Sequence, residues 1–311
     1  MLPGADLKKR VFARVFLGCA LVLLAGVLLH YKLPTLAYYW VQTTASADEW
    51  RSRSVWLPDY RVRIEARPIE GVPANVSGLT FNRQSGTLFA VINHPAQIVE
   101  LDTRGRLLRR ITVVGAEDLE GISHVRDDDF ILADERRQQL YHIRLGAGQT
   151  LVDLAQSARF ELGIDLNGNR GFEGVSWDGA QQRLFVVKEK KPLRILAISG
   201  LSALYQGKRF DVQVNEWRPV PRNALFLKDL SSITLHEETG NLFLLSDESA
   251  LVAEYNEQGR LLSMLPMWPG LHGLRGRVPR AEGIAIGPDG SLYIVSEPNL
   301  FYRFEREVGP Q

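Results

Sequence analysis

Apolar and polar positions fall into two regimes along this chain. Val11–Leu29 is apolar apart from Arg14. After residue 60 no long segment keeps a 3.6-residue period, and short apolar runs alternate with polar turns instead. Arg280–Asn299, RAEGIAIGPDGSLYIVSEPN, shows the repeating unit most clearly. Ile284-Ala285-Ile286 predicts a short strand. Pro288-Asp289-Gly290 predicts a turn, because Pro presets φ and Gly accepts the positive φ of a reversal. Leu292–Val295 then returns, rich in the β-branched and aromatic residues that suit a pleated surface. Antiparallel pairing brings Glu282 and Glu297 to the same end of this hairpin.

Five segments carry the pattern: SGLTFNRQSGTLFAVIN (Ser77–Asn93), EGISHVRDDDFILADE (Glu120–Glu135), EGVSWDGAQQRLFVVKE (Glu173–Glu189), SSITLHEETGNLFLLSDE (Ser231–Glu248) and EGIAIGPDGSLYIVSE (Glu282–Glu297). A third strand follows each one, at Gln97–Asp102, Gln139–Arg144, Leu193–Ile198, Leu251–Asn256 and Leu300–Phe304. Some copies add a fourth, as at Gly105–Val113 and Gly259–Leu265, and Gly146–Arg170 and Gly200–Lys228 fill the longest spacings. Four short strands per period is the signature of a propeller blade. The predicted fold is therefore all-β, a five-bladed β-propeller of four-stranded antiparallel blades. The last copy ends at Phe304 with too little chain for an outer strand. Tyr60–Ala66 alternates like an edge strand, so it is expected to complete the fifth blade and close the ring.

The amino-terminal regime predicts a membrane anchor. About 20 apolar residues span a bilayer as a helix, and Val11–Leu29 reaches this if Arg14 snorkels to the headgroups. Lys8-Lys9-Arg10 on its amino side keeps that end in the cytoplasm. The expected plan is a cytoplasmic basic tail (1–10), a transmembrane anchor (11–32), a stalk or linker (33–59) and the propeller (60–308). In a Gram-negative source this is a single-pass inner-membrane protein with its carboxy-terminal domain in the periplasm. A cleaved signal peptide is the competing reading, but no small-x-small site precedes Lys32. Cys19 sits too early in the apolar run for a lipoprotein signal. Tyr38, Tyr39, Trp40, Trp50 and Trp56 fit either a membrane interface or packing on the domain.

Charge narrows the partners. Lys plus Arg number 37 against 36 Asp plus Glu, a net +1, so no strong field points to nucleic acid. One cysteine allows no disulfide framework.

The hairpin ends carry the candidate chemistry. Ser77, Glu120, Glu173, Ser231 and Glu282 open the first strands. Asn93, Glu135, Glu189, Glu248 and Glu297 close the second strands, at the same rim of the channel. So many carboxylates in one place need cations, Lys or Arg partners, or protons. Lys188, Lys190 and Arg136 flank the second column, and Arg280 lies near the first. A hard divalent cation is one answer, and calcium tolerates irregular oxygen donors from different blades. The other reading is that each Glu-Gly fixes an inner strand by bonds to neighbouring backbone N–H groups. Glu120, Glu173 and Glu282 are the first metal candidates, then Glu135, Glu189, Glu248 and Glu297. Asp165–Gly171 has D-x-N-x-N-x-G spacing, but Ser176 stands where a full calcium loop needs a carboxylate, which favours an ordinary turn. The six histidines lack metal-ligand spacing. His94 could reach the channel or simply pack. Leu271–Arg280, LHGLRGRVPR, reads as a basic loop, either solvated or facing an anion. No G-x-S-x-G, P-loop or C-x-x-C occurs.

SGLTFNRQSGTLFAVIN, DLEGI (Asp118–Ile122), ADER (Ala133–Arg136), GFEG (Gly171–Gly174), VKEKKP (Val187–Pro192), LSDES (Leu245–Ser249) and AEGIAIGPDGSLYIVSEPNLFYRF together resemble the YjiK, or SdiA-regulated, family over roughly residues 60–305. The resemblance implies a five-bladed propeller distantly like NHL repeats, an amino-terminal membrane tether and a calcium site in the propeller. It implies no settled activity. The leading expectation is a non-catalytic, membrane-tethered calcium-binding propeller that recognises a ligand or protein of the cell envelope. Two rivals remain. One is a calcium-dependent ester, lactone or phosphoester hydrolase, by analogy with gluconolactonase-like and paraoxonase-like propellers. The other is a scaffold for protein partners.

Overall fold

The computed structural model describes residues 4–30, 33–163, 171–189, 192–205, 211–220 and 225–307. Two compact units divide the chain, 1–48 and 49–311.

The first unit is helical. α1 (Gly4–His30) covers most of the expected anchor, and residues 31 and 32 lie outside the described set. Val11, Phe12, Val15, Phe16 and Leu21–Leu24 are exposed along it. Among the described residues, however, no helix is long and apolar enough to cross a membrane. The expected transmembrane helix is therefore not supported among the described residues. The expected linker begins as a helix, α2 (Leu33–Trp50).

In the second unit β1 (Tyr60–Pro68) comes first. β2 (Val76–Asn82), β3 (Thr87–Ile92), β4 (Gln97–Leu101) and β5 (Leu107–Val114) form blade one. Blade two contains β6 (Leu119–Arg126), β7 (Asp129–Asp134) and β8 (Gln139–Arg144). β9 (Leu151–Asp153) leaves it, and β10 (Ala158–Glu161) returns as its outer strand. Blade three is β11 (Phe172–Asp178), β12 (Arg183–Lys188), β13 (Arg194–Ser199) and, after the short helix α3 (Leu201–Tyr205), β14 (Gln213–Trp217). Blade four is β15 (Ser232–His236), β16 (Asn241–Ser246), β17 (Leu251–Tyr255) and β18 (Leu261–Pro266). Blade five is β19 (Ala281–Ile286), β20 (Leu292–Ser296) and β21 (Leu300–Arg306), completed by β1. β1 runs antiparallel to β21, pairing Tyr60 with Arg306 and Pro68 with Leu300, so the ring closes as the sequence predicts. One strand was not foreseen. β9 adds a fifth strand to blade one, parallel to β5, with Thr112 opposite Leu151.

Stacked blades explain the sequence pattern. A blade's middle strands are covered on both faces, so they read as apolar runs rather than alternations; every residue of β16 is buried. The outer strand β5 faces water on one side and alternates, whereas β18 of blade four is buried throughout. Phe243, Leu245 and Val252 of blade four pack with Ile284, Ile294 and Tyr302 of blade five. Phe89 and Val91 of blade one meet Phe130 and Leu132 of blade two, and Ala285 and Val295 of blade five meet Leu79 and Val99 of blade one. Each buried Val, Leu, Ile or Phe among them contributes about 1.5–3 kcal/mol.

The recurring glycine brings neighbouring inner strands together. A Cβ on Gly121 would lie 3.0 Å from Glu173 O, and one on Gly174 2.8 Å from Ser232 Cα. Gly78 and Gly283 abut the next blade in the same way. Two residues further on, a hydroxyl uses the closeness. The backbone N–H of His124 donates to Thr80 Oγ1 at 3.0 Å, that of Trp177 to Ser123 Oγ at 2.8 Å, and that of Leu235 to Ser176 Oγ at 2.9 Å. The motif x-Gly-x-Ser/Thr therefore ties blades one to two, two to three and three to four.

Candidate metal centre at the channel mouth

Three of the predicted acids occupy one peculiar position. Leu119 pairs with Asp134 and Gly121 with Ala133, leaving Glu120 as the extra residue of a bulge. Glu173 is extra between Phe172 and Gly174, and Glu282 between Ala281 and Gly283. A bulge takes its extra residue out of the ladder alternation and re-aims it, so Glu-Gly here is one local device used three times. Blade four lacks the bulge: Ser232 pairs with Leu245, and Ser231 stands just before the strand.

The acids do converge. Ligating oxygens of Asp118, Glu120 and Glu135 all lie within 4.8 Å of one another. Ser77 Oγ donates to Glu120 Oε2 at 2.6 Å, and Asn93 Nδ2 to Oε1 at 2.9 Å. The Gly171 N–H donates to Glu135 Oε1 at 2.9 Å. Glu173 is only 8% exposed. Its carboxyl is pushed well above the usual range by burial and then by Glu120, Glu135, Glu189 and Glu282. Burial also lifts Glu120 to about 7, with Asp118 and Glu135 adding to it. Glu282 rises to about 8, by burial and then by Glu120, Glu297, Asp247 and Glu189. Burial raises Glu135 too, against the Gly171 N–H. Glu120, Glu173, Glu282, Glu135 and Glu189 thus form one interacting group.

The remaining predicted acids sit differently. Glu297 forms an ion pair with Arg280 at 2.5 Å. In blade four the strand register gives the second-column place to Asp247, since Ser246 pairs with Leu251 as Ser296 pairs with Leu300. Glu248 is one residue beyond, its backbone N–H bonded to Asp229 at 3.2 Å. Asp247 Oδ1 accepts the Ala281 N–H at 3.2 Å, much as Glu135 accepts that of Gly171.

Sequence reasoning passed over Asp118 and Asp229 as site residues. The signal was present in the paired motifs DLEGI and DLSSI, which put an Asp two residues before each first-column position. Asp118 joins the oxygen cluster and meets Arg136 at 3.3 Å. Asp229 is buried and accepts the hydroxyls of Ser231 and Ser246.

The other candidates resolve as follows. Residues 165–170 of the D-x-N-x-N-x-G stretch, and Lys190, lie outside the described residues. The basic loop is tied down by acids: Arg275 meets Glu65 at 2.9 Å, Arg277 meets Asp247 at 3.5 Å, and Arg280 meets Glu297. His272 within it is buried and held neutral by that burial, its pKa lowered to about 4, with Nδ1 2.9 Å from Tyr60 O. His124 and His236 belong to the hairpin-turn side, bonding Asp127 O and Thr239 Oγ1.

Donor chemistry fits a hard cation. The cluster offers carboxylate oxygens from two consecutive segments of blade two, and the nine-tenths-buried Glu173 faces four further acids. Removing so many like charges from water is costly unless a counter-charge or protons compensate. Asp118, Glu120 and Glu135 would hold a divalent ion, with oxygen donors of the type calcium and magnesium take.

Comparison with known proteins agrees with the fold. A luciferin-regenerating enzyme superposes with a TM-score of 0.50 at 12% identity, covering 80% of this chain and 96% of that one. A chain of a nidogen/laminin complex gives 0.45 at 12% identity over 76% and 84%. A streptogramin B lyase gives 0.45 at 11% identity over 82% and 100%. The likeness to the first of these, at 12% identity, concerns fold alone. The SdiA-regulated family matches residues 52–305, which takes in all five blades and the closing strand, and the chain belongs to that family.

Proposed function

We propose that this protein is a cation-binding recognition propeller: its channel mouth takes up a divalent ion, calcium by donor type, and presents it to a ligand or protein of the cell envelope. The observation that carries this reading is the oxygen cluster of Asp118, Glu120 and Glu135, within 4.8 Å of one another, beside the buried Glu173, which also interacts with Glu189 and Glu282. When bound, the ion supplies positive charge to a rim that otherwise holds its acids protonated or strained. Glu120 is already aimed, because Ser77 and Asn93 fix both of its oxygens.

The same proposal assigns 11–32 as a single-pass inner-membrane anchor, with the propeller in the periplasm and no nucleic-acid partner. Its support is the exposed apolar face of α1 behind Lys8-Lys9-Arg10. Metal analysis and calcium titration of the full-length chain test the cation reading. An ester, lactone and phosphoester screen of the loaded protein separates recognition from hydrolysis: turnover that is lost on chelation would replace the recognition reading with the enzymatic one.

A further inference from the structure

A buried carboxylate in blade four is satisfied by backbone from outside its own blade, unlike its counterpart in blade one. Glu100 on β4 and Glu254 on β17 hold the same repeat position, since Phe89 pairs with Glu100 and Phe243 with Glu254. In blade one the next strand offers Arg109, whose Nε donates to Glu100 Oε2 at 2.9 Å, while Thr87 Oγ1 donates to Oε1 at 2.8 Å. That carboxylate is satisfied within its own blade.

In blade four the residue opposite Glu254 is Ser263, too short to fill the space an arginine occupies. Ser263 Oγ donates to Glu254 Oε2 at 2.5 Å and Asn241 Nδ2 to Oε1 at 2.8 Å. The carboxylate is fully buried and still has acceptor capacity. Backbone from 199 and 198 residues earlier supplies the donors: the N–H of Val55 at 2.9 Å and that of Trp56 at 3.2 Å. The next amide, Leu57 N–H, donates to Ser263 Oγ at 3.0 Å.

Three consecutive amides are therefore read by two side chains of one blade. Trp56 adopts φ 59 and ψ 73, a left-handed conformation that a non-glycine residue rarely takes. Val55, Trp56 and Leu57 are all buried. Glu49 reinforces the same segment, pairing with Arg260 of the β17–β18 turn at 2.7 Å, and Arg260 also lies over the Trp50 ring at 5.1 Å.

We propose that residues 55–57 are a strap that docks in a Glu254–Ser263 socket on blade four, and that this docking holds β1, three residues further on, in register as the ring-closing strand. The occupant is the chain's own segment, and the Arg-to-Ser difference between positions 109 and 263 is what makes the socket. The strap belongs to the propeller, although its sequence reads as linker.

Amide hydrogen exchange on the full-length chain tests this. The amides of Val55, Trp56 and Leu57 should be protected in the native protein. In Glu254→Gln, Val55 and Trp56 should exchange at least tenfold faster, followed by the paired amides of β1, while Leu244 and Leu245 in β16 keep their protection. Ser263→Ala should free Leu57 above all, and Glu100→Gln should leave all three amides unchanged. Equal protection of 55–57 in the native and Glu254→Gln proteins would overturn the proposal. If Glu254→Gln fails to fold, Ser263→Ala decides, and unchanged exchange at Leu57 in that variant would overturn it too.

Discussion

Ser77 of blade one donates its hydroxyl to Glu120 of blade two at 2.6 Å, across the seam between them. This bond shows what the two neutral positions of blade one do in the acid columns. Ser77 and Asn93 stand where other blades carry Glu, and both serve as donors to the acid next door. The mouth is thus uneven: blade one offers Glu120 donors, while Asp118 and Glu135 of its own blade offer it only further carboxylates.

Neutralising one member of the group should relieve it. Glu173→Gln keeps the side chain's shape and removes a carboxyl that burial forces to hold its proton, a gain on the order of 1 kcal/mol or more in the cation-free protein. Its Tm under chelation should rise above that of the native protein, by roughly 2–4 °C per kcal/mol. Calcium should stabilise this variant less than it stabilises the native chain. Differential scanning calorimetry with and without calcium reads both effects.

The raised carboxyls also fix a pH dependence. Glu120 and Glu282 keep their protons to about 7 and about 8 in the folded chain, while the unfolded chain releases them near the ordinary glutamate value of 4.5. Between those limits the folded state holds more protons, so stability falls as pH rises. Chelated protein should lose Tm steadily from about pH 5 to pH 8. Added calcium should restore most at pH 8 and least at pH 5, a trend that thermal melts across a buffer series would expose.

Inner-strand closeness predicts a contrast between two glycines. At Gly174 a Cβ would press on Ser232 Cα at 2.8 Å, whereas nothing lies within 4 Å at Gly276. Gly174→Ala should cost about 1–3 kcal/mol through overpacking, and Gly276→Ala should be close to neutral. Denaturant unfolding of the two variants measures the difference.

The hydroxyl ties are a separate contribution. Ser123→Ala and Ser176→Ala each leave a buried N–H, that of Trp177 or Leu235, without its acceptor. Each should destabilise by about 1–3 kcal/mol, with faster amide exchange at Trp177 in the first and at Leu235 in the second.

The ring and its closure were legible because they rest on local patterns. Apolar runs bounded by turns mark each hairpin, and the missing outer strand after Phe304 points to β1. Glu-Gly was legible as a recurring pair, but its reason was not: the bulge that re-aims Glu120, Glu173 and Glu282 depends on how two strands register. Asp118 escaped because its partner Glu135 follows the second strand, and only pairing brings them together. Asp247 was displaced by Glu248 for the same reason, since a one-residue offset at a strand end is invisible before pairing. The Val55–Leu57 strap lies farthest from sequence reading. Its socket consists of Glu254 and Ser263, nearly two hundred positions away, and no periodicity links them.

Calorimetric titration of the full-length chain with calcium at pH 7.5, run beside Asp118→Asn, Glu120→Gln and Glu135→Gln, tests the central claim most directly. Saturable binding by the native protein is expected, with at least a tenfold loss of affinity in each variant. No binding by the native chain, or full affinity retained in all three variants, would contradict it.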